Sequence, residues 1–199
     1  MMKKIYLARH GDIGLGRDKR YIGITDLSLS DKGREQANYL KEQLQDEPLD
    51  HIYCSNLART QETAEIIASA QGISLSVLPD LHELNMGDWD GKLFTDIKQE
   101  FPREYRKRGE DIVNYRPPKG ESFFDCFQRV IPVFDSILRS HKKNSLIVGH
   151  AGVNRIILCH ALHKPLPELF QIEQGYGCLN VLTHDEKGFR LGSYHINPK

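Results

Sequence analysis

Lys3-Lys4-Ile5-Tyr6-Leu7-Ala8-Arg9-His10-Gly11 is the stretch on which the reading of the chain turns. An apolar run is bracketed by charge and ends in arginine, histidine and glycine. It is too short for a membrane span or the core of a signal peptide. Its pattern is that of a fully buried strand. Such a strand delivers its last side chains to a sheet edge, where His10 would meet a ligand. Ser145-Leu146-Ile147-Val148-Gly149 repeats the design and runs into His150-Ala151-Gly152.

The rest of the chain alternates strands and helices around these two. Gly11, Gly14, Gly16 and Gly23 follow the first strand. Glycines so close together suit either a backbone that approaches a ligand or a flexible surface loop, and their place after a strand favours the former. Ser30 caps a helix expected over residues 31–45, with Ala37, Leu40 and Leu44 at helical spacing. His51-Ile52-Tyr53-Cys54 reads as a strand, and Ser55 or Asn56 as the cap of the next helix. Arg59 falls in that helix's first turn, where backbone N–H groups and the helix dipole favour an anion. Residues 74–78 form a third strand. Residues 92–108 are polar and broken by Pro102, which suggests an inserted lid, about 85–121, rather than part of the sheet. A long helix follows Ser122. Leu179–Thr183 and Phe189–Tyr194 make a hairpin around Glu186-Lys187-Gly188. The expected fold class is α/β, a three-layer sandwich with a mostly parallel central sheet and an inserted helical lid. In such sheets ligands bind beyond the carboxyl ends of the strands, which gathers His10, Ser55 and His150 on one rim.

Bulk composition narrows the partners. A chain of 199 residues fits one domain, and its 27 basic residues equal its 27 acidic ones. No global field draws it to nucleic acid or an anionic membrane. The four cysteines are scattered without metal-ligand spacing, and with no export signal the expectation is reduced thiols in a cytoplasmic protein. His160 and His163 share a helix face, but no carboxylate–histidine motif accompanies them, so no metal is expected. Arg103, Arg106, Lys107 and Arg108 read as a solvated helix face, with reception of an anionic substrate part as the alternative.

The residues left over suit phosphoryl transfer. An unprotonated imidazole can attack phosphorus, provided its other nitrogen donates to a fixed acceptor such as a backbone carbonyl. Arg9 and Arg59 offer planar donors to phosphoryl oxygens, and a protonated His150 would add another. A carboxylic acid must protonate the leaving alcohol. Glu83 is the candidate, with Asp88 and Asp90 as rivals in the same loop.

Arg9-His10-Gly11 resembles the signature of the histidine phosphatase superfamily, the phosphoglycerate mutase-like proteins. The likeness continues through Tyr53-Cys54-Ser55-Asn56-Leu57-Ala58-Arg59-Thr60, Leu81-His82-Glu83, Gly87-Asp88-Trp89-Asp90-Gly91, Gly120-Glu121-Ser122 and Val148-Gly149-His150-Ala151-Gly152, in family order. The resemblance implies a metal-independent phosphatase without cofactor. It implies a phosphohistidine at His10, Glu83 as proton donor, and catalytic Arg9, Arg59 and His150. Arg9, Gly11, Gly23, Arg59, His150 and Ala151 would bind the substrate. Many members place Thr and then Asn after the first motif; Ile13 and Gly16 stand there instead, so the glycine-loop backbone, including Gly23, is expected to take over. Residues 20–30 and 116–122 look most like the α-ribazole phosphatase branch. Phosphoglycerate mutase, a broad-specificity phosphatase and a regulatory or protein-phosphatase module are the alternatives. The expected partner is a small phosphorylated molecule, with the chain a monomer or homodimer.

Overall fold

The computed structural model describes residues 3–69, 72–140, 144–186 and 188–196, the last four by backbone alone. The opening stretch is β1 (Lys3–Arg9). Further strands are β2 (Leu49–Cys54), β3 (Leu75–Val77), β4 (Asn144–Gly149), β5 (Leu179–Asp185) and β6 (Gly188–Ile196). They form one sheet in the order β3-β2-β4-β1-β5-β6. β3, β2, β4 and β1 run parallel, and β5 and β6 close the far side antiparallel. The hairpin expected at the end is therefore present, although Lys187 in its turn lies outside the described residues.

Alternation along β1 builds two cores. Ile5 and Leu7 pack on one face with α5 (Phe123–Ser140) and α6 (Ala151–Ala161). Tyr6 and Ala8 pack on the other with α1 (Asp31–Leu44) and α2 (Ala58–Ala68). A strand buried on both faces has to be apolar throughout, which is why β1 and β4 show no polar alternation. Ser30 caps α1 as expected, its Oγ accepting from Gly33 N at 3.1 Å. α2 differs. Its cap is Leu57, with no side-chain bond; Asp26 instead accepts from Ala58 N at 2.7 Å. The Ser55 hydroxyl is committed elsewhere.

Residues 85–121 hold two short helices, α3 (Phe94–Glu100) and α4 (Pro102–Glu110), separated where Pro102 opens the second. They are less peripheral than their polar sequence suggests. Trp89 and Ile97 join the larger core. Tyr21 from the glycine loop stacks on Phe94 at 4.0 Å and meets Trp89 at 5.2 Å. The loop is also tied by Tyr21 N to Lys92 O and Gly91 N to Tyr21 O.

Register sets the site. Arg9 of β1 pairs with Gly149 of β4, and Cys54 of β2 pairs with Val148. The next residues, His10, His150 and Ser55, thus emerge side by side at the carboxyl rim. This is the crevice where ligands of parallel sheets bind.

Candidate active site

His10 is buried, and its ring lies edge-on to His150 with centroids 5.2 Å apart. Its Nδ1 stands 2.8 Å from the carbonyl oxygen of Gly11. A carbonyl only accepts, so Nδ1 carries the proton and Nε2 keeps its lone pair. Burial, then the charges of Arg9 and Arg59, hold the His10 pKa well below the usual histidine value. The ring is neutral at neutral pH.

Arg59 comes from the first turn of α2 and is 1% exposed. Its two terminal nitrogens donate to Thr25 O at 2.8 Å and Gly23 O at 2.6 Å. Arg9 lies over the Tyr176 ring at 3.8 Å and donates to Gln174 O at 2.6 Å. Backbone carbonyls therefore aim both guanidiniums without neutralising them. Burial pulls the Arg59 pKa below the ordinary arginine value, opposed by the nearby carboxylates of Glu83, Asp26 and Asp90.

His150 follows β4 and is fully buried. Its Nε2 is 2.8 Å from Ser55 Oγ. Burial, then the charge of Arg59, lowers its pKa well below the usual value, so the ring is neutral and offers one donor. Among the buried polar atoms with no protein partner in the described residues are Arg9 Nε, Arg59 Nε and His150 Nδ1. Buried polar atoms left without a partner cost roughly 1–3 kcal/mol each. The charges of Arg9 and Arg59 bear on both the His10 and His150 rings, so an anion beside them would be attracted.

Glu83 faces this group. Its carboxylate accepts from Leu84 N at 2.9 Å and from Gly152 N, in the first turn of α6, at 3.0 Å. A Cβ on Gly152 would stand 2.6 Å from Glu83 Oε1, so that position must be glycine for the carboxylate to fit. The loop is braced from behind. Arg129 of α5 donates to Asp80 O and His82 O, and Glu121 accepts from Arg129 and Asn85 N. The rival acids serve other ends. Asp88 pairs with Lys119. Asp90 accepts from Gly23 N at 3.0 Å and Thr25 N at 3.1 Å.

Those bonds place the remaining sequence candidates. Gly23 has its N–H taken by Asp90, so it serves through its carbonyl, which holds Arg59. Gly11 N reaches Thr63 Oγ1 at 3.3 Å. Ala151 lines a cavity of about 190 Å³ that opens onto Glu83. Its walls also include Tyr21, Phe94, Phe123 and Phe170, with Arg20, Arg108 and Arg155. A larger groove of about 670 Å³, lined by Phe124, Phe127 and Leu166, shares no residue with the site. Sequence reasoning missed three contributors: Ser55 as partner of His150, and Gln174 and Tyr176 as the seat of Arg9. Among the described residues no three His, Cys, Asp or Glu side chains gather as metal ligands. All four cysteines are buried and free; burial pushes Cys54 up to about 12.

A strand-end histidine with a free nitrogen, beside two aimed guanidiniums and a carboxylate, on a three-layer α/β sheet, defines a hydrolase of phosphate esters. Residues 5–197 match the family model of the histidine phosphatase superfamily (branch 1), and the chain belongs to that family. It is similar to the adenosylcobalamin/alpha-ribazole phosphatase of Salmonella typhimurium, 32% identical over 176 residues, covering 86% of this chain and 87% of the relative. It is 34% identical over 197 residues to the 6-phosphofructo-2-kinase/fructose-2,6-bisphosphatase of Gallus gallus, where the match covers 98% of this chain and 40% of the longer protein. The solved alpha-ribazole phosphatase from Shigella flexneri superposes with a TM-score of 0.89 at 28% identity, covering 98% of this chain and 99% of that one. No described helix is long and apolar enough to cross a membrane.

Proposed function

We propose that the chain hydrolyses small phosphate monoesters through a phosphohistidine on His10. The observation that carries this is the Nδ1–H of His10 tied to Gly11 O, beside His150 and under the charges of Arg9 and Arg59, each of which keeps a buried nitrogen without a protein partner among the described residues. Nε2 attacks phosphorus, and the phosphorus–oxygen bond to the alcohol breaks. Glu83 is placed as the general acid that supplies a proton to the departing oxygen. Arg9, Arg59 and His150 hold the phosphoryl oxygens, whose charge is spread in a loose transition state. Gly11 and Gly23 fix the loop behind them, and Ala151 borders the leaving group. Water then attacks phosphorus, Glu83 takes up its proton, and the nitrogen–phosphorus bond breaks to release phosphate. No metal takes part. The chain acts as one domain, with residues 85–121 as a lid over the cavity.

For the substrate, the favoured reading is α-ribazole 5'-phosphate. It is supported by the Salmonella relative and by an aromatic-walled cavity suited to a flat ring. A second reading has its own observation. Arg108, read from the sequence as part of a solvated face, turns inward over Tyr21 at 5.4 Å, while Arg103, Arg106 and Lys107 stay exposed. Arg155 lies over Phe170 at 5.3 Å on the same cavity. Neither makes an ion pair among the described residues. Two unpaired guanidiniums suit a substrate whose leaving group carries a second anionic group, as the name of the Gallus gallus relative also suggests. A hydrolysis screen over nucleotides, sugar phosphates, sugar bisphosphates, phosphoglycerates and α-ribazole phosphate tests both. Highest kcat/KM on α-ribazole phosphate supports the first reading, and highest kcat/KM on bisphosphates or phosphoglycerates the second. Hydrolysis of none refutes the phosphatase assignment.

A further inference from the structure

Ser55 is fully buried, yet it caps nothing. Its Oγ accepts from Leu57 N at 3.2 Å and lies 2.7 Å from Thr60 Oγ1 and 2.8 Å from His150 Nε2. Thr60 Oγ1 has the carbonyl of Leu57 at 2.8 Å and that of Ser55 at 3.2 Å. Carbonyls only accept, so the Thr60 proton has its place there. The single Ser55 proton is left with two takers, Thr60 Oγ1 and His150 Nε2. Each choice forces a different His150. If Ser55 donates to Nε2, the imidazole proton sits on Nδ1, the nitrogen with no protein partner. If Ser55 donates to Thr60, His150 gives its Nε2 proton to Ser55 and presents a bare lone pair at Nδ1, which repels an anion.

We propose that Ser55 and Thr60 are positioning residues that select the tautomer of His150, and that in the loaded enzyme Ser55 donates to Nε2 so that Nδ1–H donates to the phosphoryl oxygens. This rests on the phosphatase reading, since it needs an anion at Nδ1. A neutral imidazole has one proton, so its tautomer decides whether it helps or hinders binding.

Long-range proton–nitrogen NMR of the His150 ring, with inorganic phosphate added to the whole protein, reads the tautomer directly. The wild-type protein with phosphate is expected to show Nδ1–H. Thr60→Val removes the competing acceptor and should fix Nδ1–H even without phosphate. Ser55→Ala should release that preference and lower kcat/KM on p-nitrophenyl phosphate about 10- to 100-fold. Ser55→Thr keeps a hydroxyl and should recover most of the loss; should its methyl not fit, the wild-type and Thr60→Val spectra decide alone. An Nε2–H or doubly protonated His150 in the phosphate-loaded wild type would overturn the proposal. So would Thr60→Val and Ser55→Ala moving the tautomer the same way. Failure of the wild type to turn over any ester would instead strike the phosphatase reading, which the spectra with phosphate do not need.

Discussion

Gly23→Ala adds one methyl group that touches no phosphate, yet the structure gives it a large effect. A Cβ there would stand 2.1 Å from Leu84 O and 3.0 Å from Met86 N. Non-bonded atoms settle near about 3.5 Å, so about 1.4 Å of backbone movement is required, shared between the two sides. Either side of the contact is costly to move. Gly23 O holds Arg59 and Gly23 N is held by Asp90. Leu84 N, on the other side, donates to the Glu83 carboxylate. The shift therefore misplaces Arg59, the proposed phosphate clamp, or Glu83, the proposed proton donor, and about 1 Å of misplacement costs on the order of 100-fold in rate. The overpacking itself costs about 1–3 kcal/mol, or roughly 2–12 °C in Tm for a chain of this size. kcat/KM on p-nitrophenyl phosphate and a thermal melt measure the two effects. Gly109→Ala is the control, because a Cβ there meets nothing within 4 Å; it should gain about 0.5–1 kcal/mol as a helical alanine. Gly23→Ala keeping wild-type kcat/KM within about twofold, at unchanged Tm, would refute the packing argument.

Further predictions bear on the chemistry. Glu83→Gln should slow alkyl phosphates by roughly 10²–10⁴-fold and activated aryl phosphates far less, because only a poor leaving group needs the proton; equal losses on both would remove Glu83 from that role. His10 and His150 have pKa values held well below 6.5 by burial first and by Arg59 and other charges second. The unfolded chain takes protons on both rings as pH falls through 6.5 while the folded chain does not. Stability is therefore full above that pH and declines below it, towards the depressed values. Urea denaturation from about pH 7.5 to 5 should show the decline, and a His10→Gln/His150→Gln variant should show a flatter one. Prolonged dialysis against a chelator should leave activity unchanged within error, and loss restored by a divalent cation would revive a metal-dependent mechanism.

Strand identity was legible because β1 and β4 are buried on both faces, which demands unbroken apolar runs that composition alone exposes. The rim followed from the same pattern, since parallel strands deliver their next residues to one edge. Ser55 was visible as a rim residue but read as a helix cap; its hydroxyl faces a histidine 95 positions away, and no local signal records that pairing. Gln174 and Tyr176 were hidden for a similar reason. Gln174 serves Arg9 through a backbone carbonyl, which every residue possesses. Arg108 was misread as solvated because its neighbours are. Only the stacking of Tyr21 beneath it separates it from Arg103 and Arg106. Residues 92–108 looked poorly patterned because their burial depends on the glycine loop, not on a periodic face of their own.

The account turns on His10. Brief exposure of the whole protein to a radiolabelled phosphate ester, followed by rapid quenching in base, should trap one phosphate per chain that survives alkali and is released by acid, mapping to His10 and absent from His10→Ala. A label that resists acid, maps to Ser55 or another hydroxyl, or persists undiminished in His10→Ala would contradict it.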